Sequence, residues 1–231
     1  MAAGVTLARI GAAAAPFGLR LRGAFHCAGD DAVPAQADGR TSRTLVLIGN
    51  AGGDFWSCFQ AGPEARDGRS DPMNRWSARV IGALATEVGG LALFPSDGPP
   101  YPPFLRWAQR AEGLASSPLG MLIHPDYGLW HAYRGAIALG EALDLPPADD
   151  RASPCESCSG RPCLTACPVG AFTGASYDVT ACAGHVAAPA GADCLDLGCR
   201  ARRACPQGQD YRYPAAQARF HMEAFLNARH P

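Results

Sequence analysis

The chain has 231 residues, with 20 basic and 21 acidic side chains, a net charge of −1 and an isoelectric point near 6.6. That balance leaves no global basic field, so nucleic acid is not an expected partner. No apolar run approaches the ~20 residues that span a bilayer, so no membrane partner is expected either.

The length allows one ordinary domain with a small appendage, or two small domains. Every basic residue is Arg, a bias associated with GC-rich bacterial coding. The opening MAAGVTLARIGAAAAPFG lacks a charged region followed by a clean apolar core. Val5, Leu7, Ile10 and Ala14 instead predict an amphipathic helix. Leu19 to Phe25 reads as a short strand, and Cys27 belongs to no motif. RTLVLIGNAGG is a strand-length apolar run broken by glycines, the pattern of a buried strand entering a turn. Asn50-Ala51-Gly52-Gly53 lacks both the dinucleotide spacing and a phosphate-loop Lys, so it argues little for a cofactor contact. Asp54 is expected to cap the helix DFWSCFQAG, with Cys58 as a small core-facing hydrophobe.

Ser70-Asp71-Pro72 predicts a sharp helix start, a capping residue followed by Pro at the first helical position. Met73, Trp76, Val80, Ile81 and Leu84 then make one apolar face, ended by Gly89-Gly90. LALFPSD reads as a second buried strand, GPPYPPF as irregular chain, and LRWAQRAEGL as a short helix. Leu119 to His124 and Leu129 to Leu139 read as two strands joined by the turn His124-Pro125-Asp126-Tyr127-Gly128. Trp130 and Tyr133 beside Arg134 could wall a flat ligand, since rings and guanidinium groups lie against planar rings. The alternative is a hairpin whose aromatics fill the core and whose Arg is solvated. Leu145 to Pro154 is a Pro- and Asp-rich linker, dividing the chain into domains 1–150 and 151–231.

Eight of the ten cysteines follow that linker. They read Cys155-x2-Cys158-x4-Cys163-x3-Cys167-Pro168, then Cys182, then Cys194-x4-Cys199-x5-Cys205-Pro206. Closely spaced cysteines ending in Cys-Pro are the signature of a ferredoxin-type iron–sulfur site, in which the Cys of Cys-Pro crosses to the other cluster. Applied here, Cys155, Cys158, Cys163 and Cys205 hold one 4Fe–4S cluster, and Cys167, Cys182, Cys194 and Cys199 hold the second. The four residues Ser159 to Pro162 and the longer gap Ala183 to Asp193 enlarge the usual loops without changing the ligand count. Two all-thiolate zinc sites would explain the count but not the Cys-Pro pairs. A disulfide framework lacks a secretory context, and free thiols at this density are rare. Oxygen-sensitive clusters imply a reducing cytoplasm. In the tail, Pro214 opens a helix that offers Ala218, Phe220, Met222, Phe225 and Leu226 for packing, and it should dock on one of the domains. His221 and His230 have no partner at metal-ligand spacing.

PFGLRL, RTLVLIGN, DPMNRWSARVIGALATEV and above all LGMLIHPDYGLWHAYRGAIAL followed by DLPP resemble the cobalamin-processing CblC family. The resemblance implies an α+β fold, a nitroreductase-like mixed sheet with flanking helices, followed here by a small ferredoxin-like domain with two 4Fe–4S clusters. It also implies a corrinoid pocket at His124, Pro125, Tyr127, Gly128, Trp130, Arg134 and Gly135. The cysteine segment resembles the cluster-bearing half of epoxyqueuosine reductase, which joins a CblC-like domain to two 4Fe–4S clusters with a single Cys between two Cys-Pro motifs. Together they imply a reductase in which clusters, fed by an external ferredoxin or flavodoxin, pass electrons to the cobalt of cobalamin. Three alternatives remain open: an FMN-dependent nitroreductase-like enzyme, an epoxyqueuosine reductase-like enzyme, and a non-enzymatic two-cluster electron carrier.

Overall fold

The computed structural model describes residues 5–147 and 149–229. In chain order its elements begin with α1 (Leu7–Ala14), β1 (Arg20–His26), β2 (Thr44–Ala51), α2 (Trp56–Ala61) and α3 (Pro72–Glu87). There follow β3 (Leu91–Leu93), α4 (Phe104–Glu112), β4 (Ala115–Ser116), β5 (Leu122–Ile123) and β6 (His131–Leu139). The remainder is helical: α5 (Pro154–Ser157), α6 (Pro162–Thr165), α7 (Val179–Ala187), α8 (Ala192–Leu197), α9 (Arg200–Arg203) and α10 (Ala215–Asn227). Among the described residues no helix is long and apolar enough to cross a membrane.

The chain forms two compact units, Met1–Gly113 with Ala132–Asp150, and Leu114–His131 with Arg151–Pro231. Leu114–His131 thus leaves the first domain expected from sequence and joins the second unit. The reason is packing: Leu119, Ile123 and Leu129 share one buried cluster with Cys163, Ala201 and Cys205.

In the first unit a four-stranded sheet runs in the order β1-β2-β6-β3, with β1 antiparallel to β2 and β3 antiparallel to β6. Every residue of β2 is buried, which is why it reads as a continuous apolar run rather than an alternating one. The α3 face falls as expected, with Met73, Trp76, Val80, Ile81 and Leu84 all buried. Trp76 packs against Phe55 and Phe59 at ring-centroid distances of 5.7 and 6.1 Å. Two caps differ from expectation. Asp71 precedes Pro72 but adopts a left-handed conformation (φ 51°) and makes no side-chain cap. Asp54 pairs with Arg20 instead of capping α2, which starts after Phe55. Cys58 is half-buried rather than in the core. LALFPSD yields only the three residues of β3, at the sheet edge with a single strand neighbour, Leu91 and Ala92 half-buried and Leu93 buried.

The expected hairpin of Leu119–His124 with Leu129–Leu139 does not form. β5 pairs with β4 in a separate two-stranded sheet, while β6 lies between β2 and β3. Only the bridge of His124 with Gly128 survives at the turn, through reciprocal N–H to carbonyl bonds of 2.9 Å. In the second unit α10 packs on α7 and α8, and of its expected packing residues Ala218 is buried beside Gln217. His230 lies outside the described residues.

Candidate metal centre

Short Pro-opened turns place the first thiols. Pro154 and Pro162 each occupy the first position of a four-residue helix, so Cys155 and Cys163 follow directly in α5 and α6. Ser153 caps α5 by accepting from the Cys155 N–H. Cys155, Cys158, Cys163 and Cys205 line one cavity of about 400 Å³, together with Pro125, Arg151, Arg161 and Gln207. Cys167, Cys182, Cys194 and Cys199 line another. The eight cysteines of the motif therefore sort by space into the two sets that the crossed Cys-Pro pattern gives, with Cys205 returning to the first set and Cys167 leaving it. The second cavity is only about 20 Å³, room for a water or two. Among the described residues no three His, Cys, Asp or Glu side chains stand close enough to share one metal ion.

The electrostatics follow the same division. Burial pushes the Cys155 thiol up, and Cys205, Cys163 and Cys158 push it further. Burial likewise raises Cys163, with Cys205 and Cys158 adding to it, and raises Cys205, with a contribution from Cys158. In the other set burial is again the first cause for Cys182 and Cys199, followed among the raising causes by their own set's thiols. Of the eight thiols three are buried and five half-buried; within each set they repel one another once ionised, and bound cations would relieve both costs. Donors already face the sulfurs. The Ala171 N–H points at Cys167 Sγ at 3.3 Å, and backbone N–H groups of Ala201 and Arg202 face Cys199. The Tyr177 hydroxyl hydrogen-bonds Cys182, and Ser153 hydrogen-bonds Cys155. Ser153 and Tyr177 are residues that motif reasoning missed. Ser-Pro-Cys is a readable cap, whereas nothing local in the sequence marks Tyr177.

The seven residues expected around a corrinoid fall in both units: His124, Pro125, Tyr127, Gly128 and Trp130 in the second, Arg134 and Gly135 in the first. His124 Nδ1 accepts from the backbone N–H groups of Asp126 and Tyr127 at 3.0 and 3.2 Å, and its ring stacks on Tyr127 at 4.1 Å. His124 therefore holds its own turn. Gly128 (φ 56°) lies against the chain at Gln207, where a Cβ would come within 2.1 Å of the carbonyl oxygen. Pro125 lines the first thiol cavity. Trp130 is buried with the Arg202 guanidinium 4.3 Å over its ring. Arg134 and Gly135 belong to the other unit. There Arg134 donates to Asn50 Oδ1 at 3.1 Å and lies 5.0 Å over Phe55, while Gly135 faces Ile81 and Phe94. Tyr133 donates to Glu112, whose carboxylate also takes two 2.9 Å bonds from buried Arg22. Trp130 thus belongs to the second unit and Tyr133 and Arg134 to the first, and each is engaged by a partner of its own. Asn50 also bonds the Gly52 carbonyl at 3.0 Å, which makes the glycine turn a brace for Arg134.

No family model and no curated protein sequence matches the chain. Among solved structures it resembles epoxyqueuosine reductase from Streptococcus thermophilus at 14% identity, covering 90% of this chain and 67% of that one, with a TM-score of 0.52. An epoxyqueuosine reductase solved with a modified tRNA-Tyr stem loop matches at 13% identity, 86% and 62% coverage and a TM-score of 0.47. The B12-trafficking protein CblC of C. elegans matches at 14% identity over 95% of this chain and 94% of that one, with a TM-score of 0.50. At these identities the likeness is one of fold: a mixed α+β architecture with a small antiparallel sheet, similar to those of CblC and epoxyqueuosine reductase.

Proposed function

We propose that this chain is a corrinoid-handling reductase whose eight motif cysteines hold two 4Fe–4S clusters in a ferredoxin-like unit. The observation that carries the reading is the sorting of those cysteines into two cavities in the crossed pattern. The donor set fits: four soft thiols per cavity and no shared oxygen ligand. A single tetrahedral zinc would draw four sulfurs to about 3.8 Å from one another at Zn–S distances near 2.3 Å. Thiols that share a cavity without approaching a common ion suit a cluster, in which each sulfur meets a different iron. The second set must open slightly to accept one.

The corrinoid half of the reading rests on the fold shared with a B12-trafficking protein and with a reductase. When bound, the clusters would supply one-electron reduction, drawn from an external low-potential ferredoxin or flavodoxin and delivered to cobalt. The chain's own part is to bury the thiols and aim N–H and O–H donors at them, which sets the potential. His124 serves by fixing the turn that presents Pro125 to the first cavity, not as a cobalt ligand.

Anaerobic purification followed by iron, sulfide and cobalt analysis tests the first half, with about eight irons per chain expected. Titration of that material with cob(II)alamin, followed by EPR and visible spectra, tests the second. A stoichiometric base-off shift is expected. Zinc in place of iron, or cob(II)alamin spectra unchanged at equimolar protein, would remove the respective half.

A further inference from the structure

Between Cys167 and Cys182 the chain makes a tight hairpin whose two arms meet at Phe172 and Tyr177. Backbone bonds brace it: the Asp178 N–H donates to the Ala171 carbonyl at 2.8 Å, and the Thr173 N–H to the Ser176 carbonyl at 3.2 Å. Across the tip the Thr173 hydroxyl accepts from the Ala175 and Ser176 N–H groups at 3.3 and 3.0 Å. The Phe172 and Tyr177 rings stack, 4.4 Å apart with 6° between their planes. Asp178 then caps α7 by accepting from the Ala181 N–H at 2.9 Å. The residue before a cap and the fourth residue of the helix often pack together across that cap. Here they are Tyr177 and Cys182.

This hairpin turns two donors on the second cysteine set. The Ala171 N–H stands 3.3 Å from Cys167 Sγ, and the Tyr177 hydroxyl hydrogen-bonds Cys182. The ring and the hydroxyl of Tyr177 do separate things. A phenylalanine would stack on Phe172 equally well, so the packing does not call for the hydroxyl. Only the hydroxyl reaches the sulfur. A hydrogen bond to an ionised acceptor is about twice as strong as one between neutral groups, and it strengthens as the acceptor gains negative charge. A donor on a ligating sulfur therefore favours the reduced state of whatever the sulfur holds. Tyr177 and Cys182 belong to one helix start, so they move together if the set opens to take a cluster.

We propose that Tyr177 is a positioning residue for electron transfer: acting through Cys182, its hydroxyl makes the second cluster easier to reduce and leaves the first unaffected. The inference rests on the two-cluster reading proposed above and adds to it a residue that sets one cluster's potential apart.

Potentiometric titration of the anaerobically purified protein with titanium(III) citrate, followed by EPR, tests it. The parent protein should show two one-electron steps. Tyr177→Phe should make one of them about tenfold less favourable, a fall of about 59 mV, and leave the other in place with iron content unchanged. Ser153→Ala, which removes the hydroxyl on Cys155, should move the other step instead, so that the pair of variants assigns the steps. Should Tyr177→Phe fail to fold, Phe172→Leu keeps the hydroxyl but removes the ring stacked on it, and should lower the step that Ser153→Ala leaves alone, by less. Iron-replete variants with both steps unmoved, or both lowered alike, would overturn the role of Tyr177 and leave the clusters standing. Loss of half the iron from Tyr177→Phe would also overturn it, by making the hydroxyl a structural support. A parent protein without iron would overturn the two-cluster reading, and this proposal with it.

Discussion

The first unit closes around Trp76, Phe55, Phe59 and the buried strand β2, in the usual manner of a domain that removes apolar surface from water. The second closes around a cluster in which five of twelve side chains are cysteines: Cys155, Cys163, Cys167, Cys199 and Cys205. Its helices before α10 run to nine residues at most, and α5, α6 and α9 to four. Isolated helices that short do not persist in water, so tertiary ties must hold them. Chain length alone does not make a core. On the reading proposed above, what the thiols bind supplies the missing cohesion.

The largest effect should come from removing that tie. Stripping metal from the protein with an oxidant and chelator is expected to unfold the second unit and leave the first intact. Limited trypsin digestion reads this directly. Cuts should appear at Arg200, Arg203 and Arg212, while Arg22, buried in the first unit, stays protected. An unchanged digestion pattern after the metal is gone would erase the contrast between the units.

The reverse disturbance should be nearly as large and confined to the other side. Trp76→Ala removes a side chain that is 1% exposed from the middle of the ring cluster and should cost about 3–5 kcal/mol. Denaturant unfolding should show the loss, while metal content per folded chain stays as in the parent protein. A parallel fall in metal content would mean that the two units do not hold themselves together independently.

How much of this was legible in the sequence follows the same line. The α3 face and β2 are local patterns, fixed by the period of their own apolar residues, and both stand where expected. The cysteine motif states its own partners, and each set of four lines a cavity of its own. The hairpin at Leu119–Leu139 was not legible. Each strand has a good strand sequence, but the partner of each lies elsewhere: β4 for β5, and β2 and β3 for β6. The corrinoid residues lie on both sides of a boundary that the sequence does not mark. A contiguous block suggests one site, yet the chain passes from one unit to the other between His131 and Ala132. Asp71 shows the limit of cap signals, since it adopts a left-handed backbone and makes no side-chain cap on the helix it precedes.

A smaller and more local test concerns how the turn joins the second unit. Gly128 and Gly208 have positive φ, and each lies where a Cβ would meet the other strand's backbone, at Gln207 and Tyr127. Gly128→Ala combines a left-handed backbone with that clash and should cost about 2–3 kcal/mol in the second unit. Hydrogen exchange should show the loss at Gln207–Tyr211 and at the turn, with the β1–β2 ladder unchanged. Exchange that rises equally in β1 and β2 would make the turn a support for the first unit as well.

The smallest effect separates one of the first unit's two thiols, Cys27, from those of the second. Cys27 belongs to neither cysteine set, and its thiol is pushed up to about 11, chiefly by burial, with Asp31 adding to the shift and Arg110 opposing it. The thiol ordinarily ionises near 9.0, so below that pH both the folded and the unfolded chain keep the proton and the residue makes no pH-dependent difference. Between 9.0 and about 11 the unfolded chain releases its proton while the folded chain retains it, and stability falls as pH rises through that window. Only the thiolate reacts with iodoacetamide. At pH 10, labelling of Cys27 in the folded protein should therefore lag well behind labelling of the same residue in urea, as peptide mass spectrometry would show. Replacing Asp31 with Asn should narrow the gap slightly and leave most of it, because burial is the larger cause. Equal labelling rates in the folded and unfolded chain would show that this corner of the first unit is open to water, and that its burial is no firmer than that of the cysteine-bearing unit.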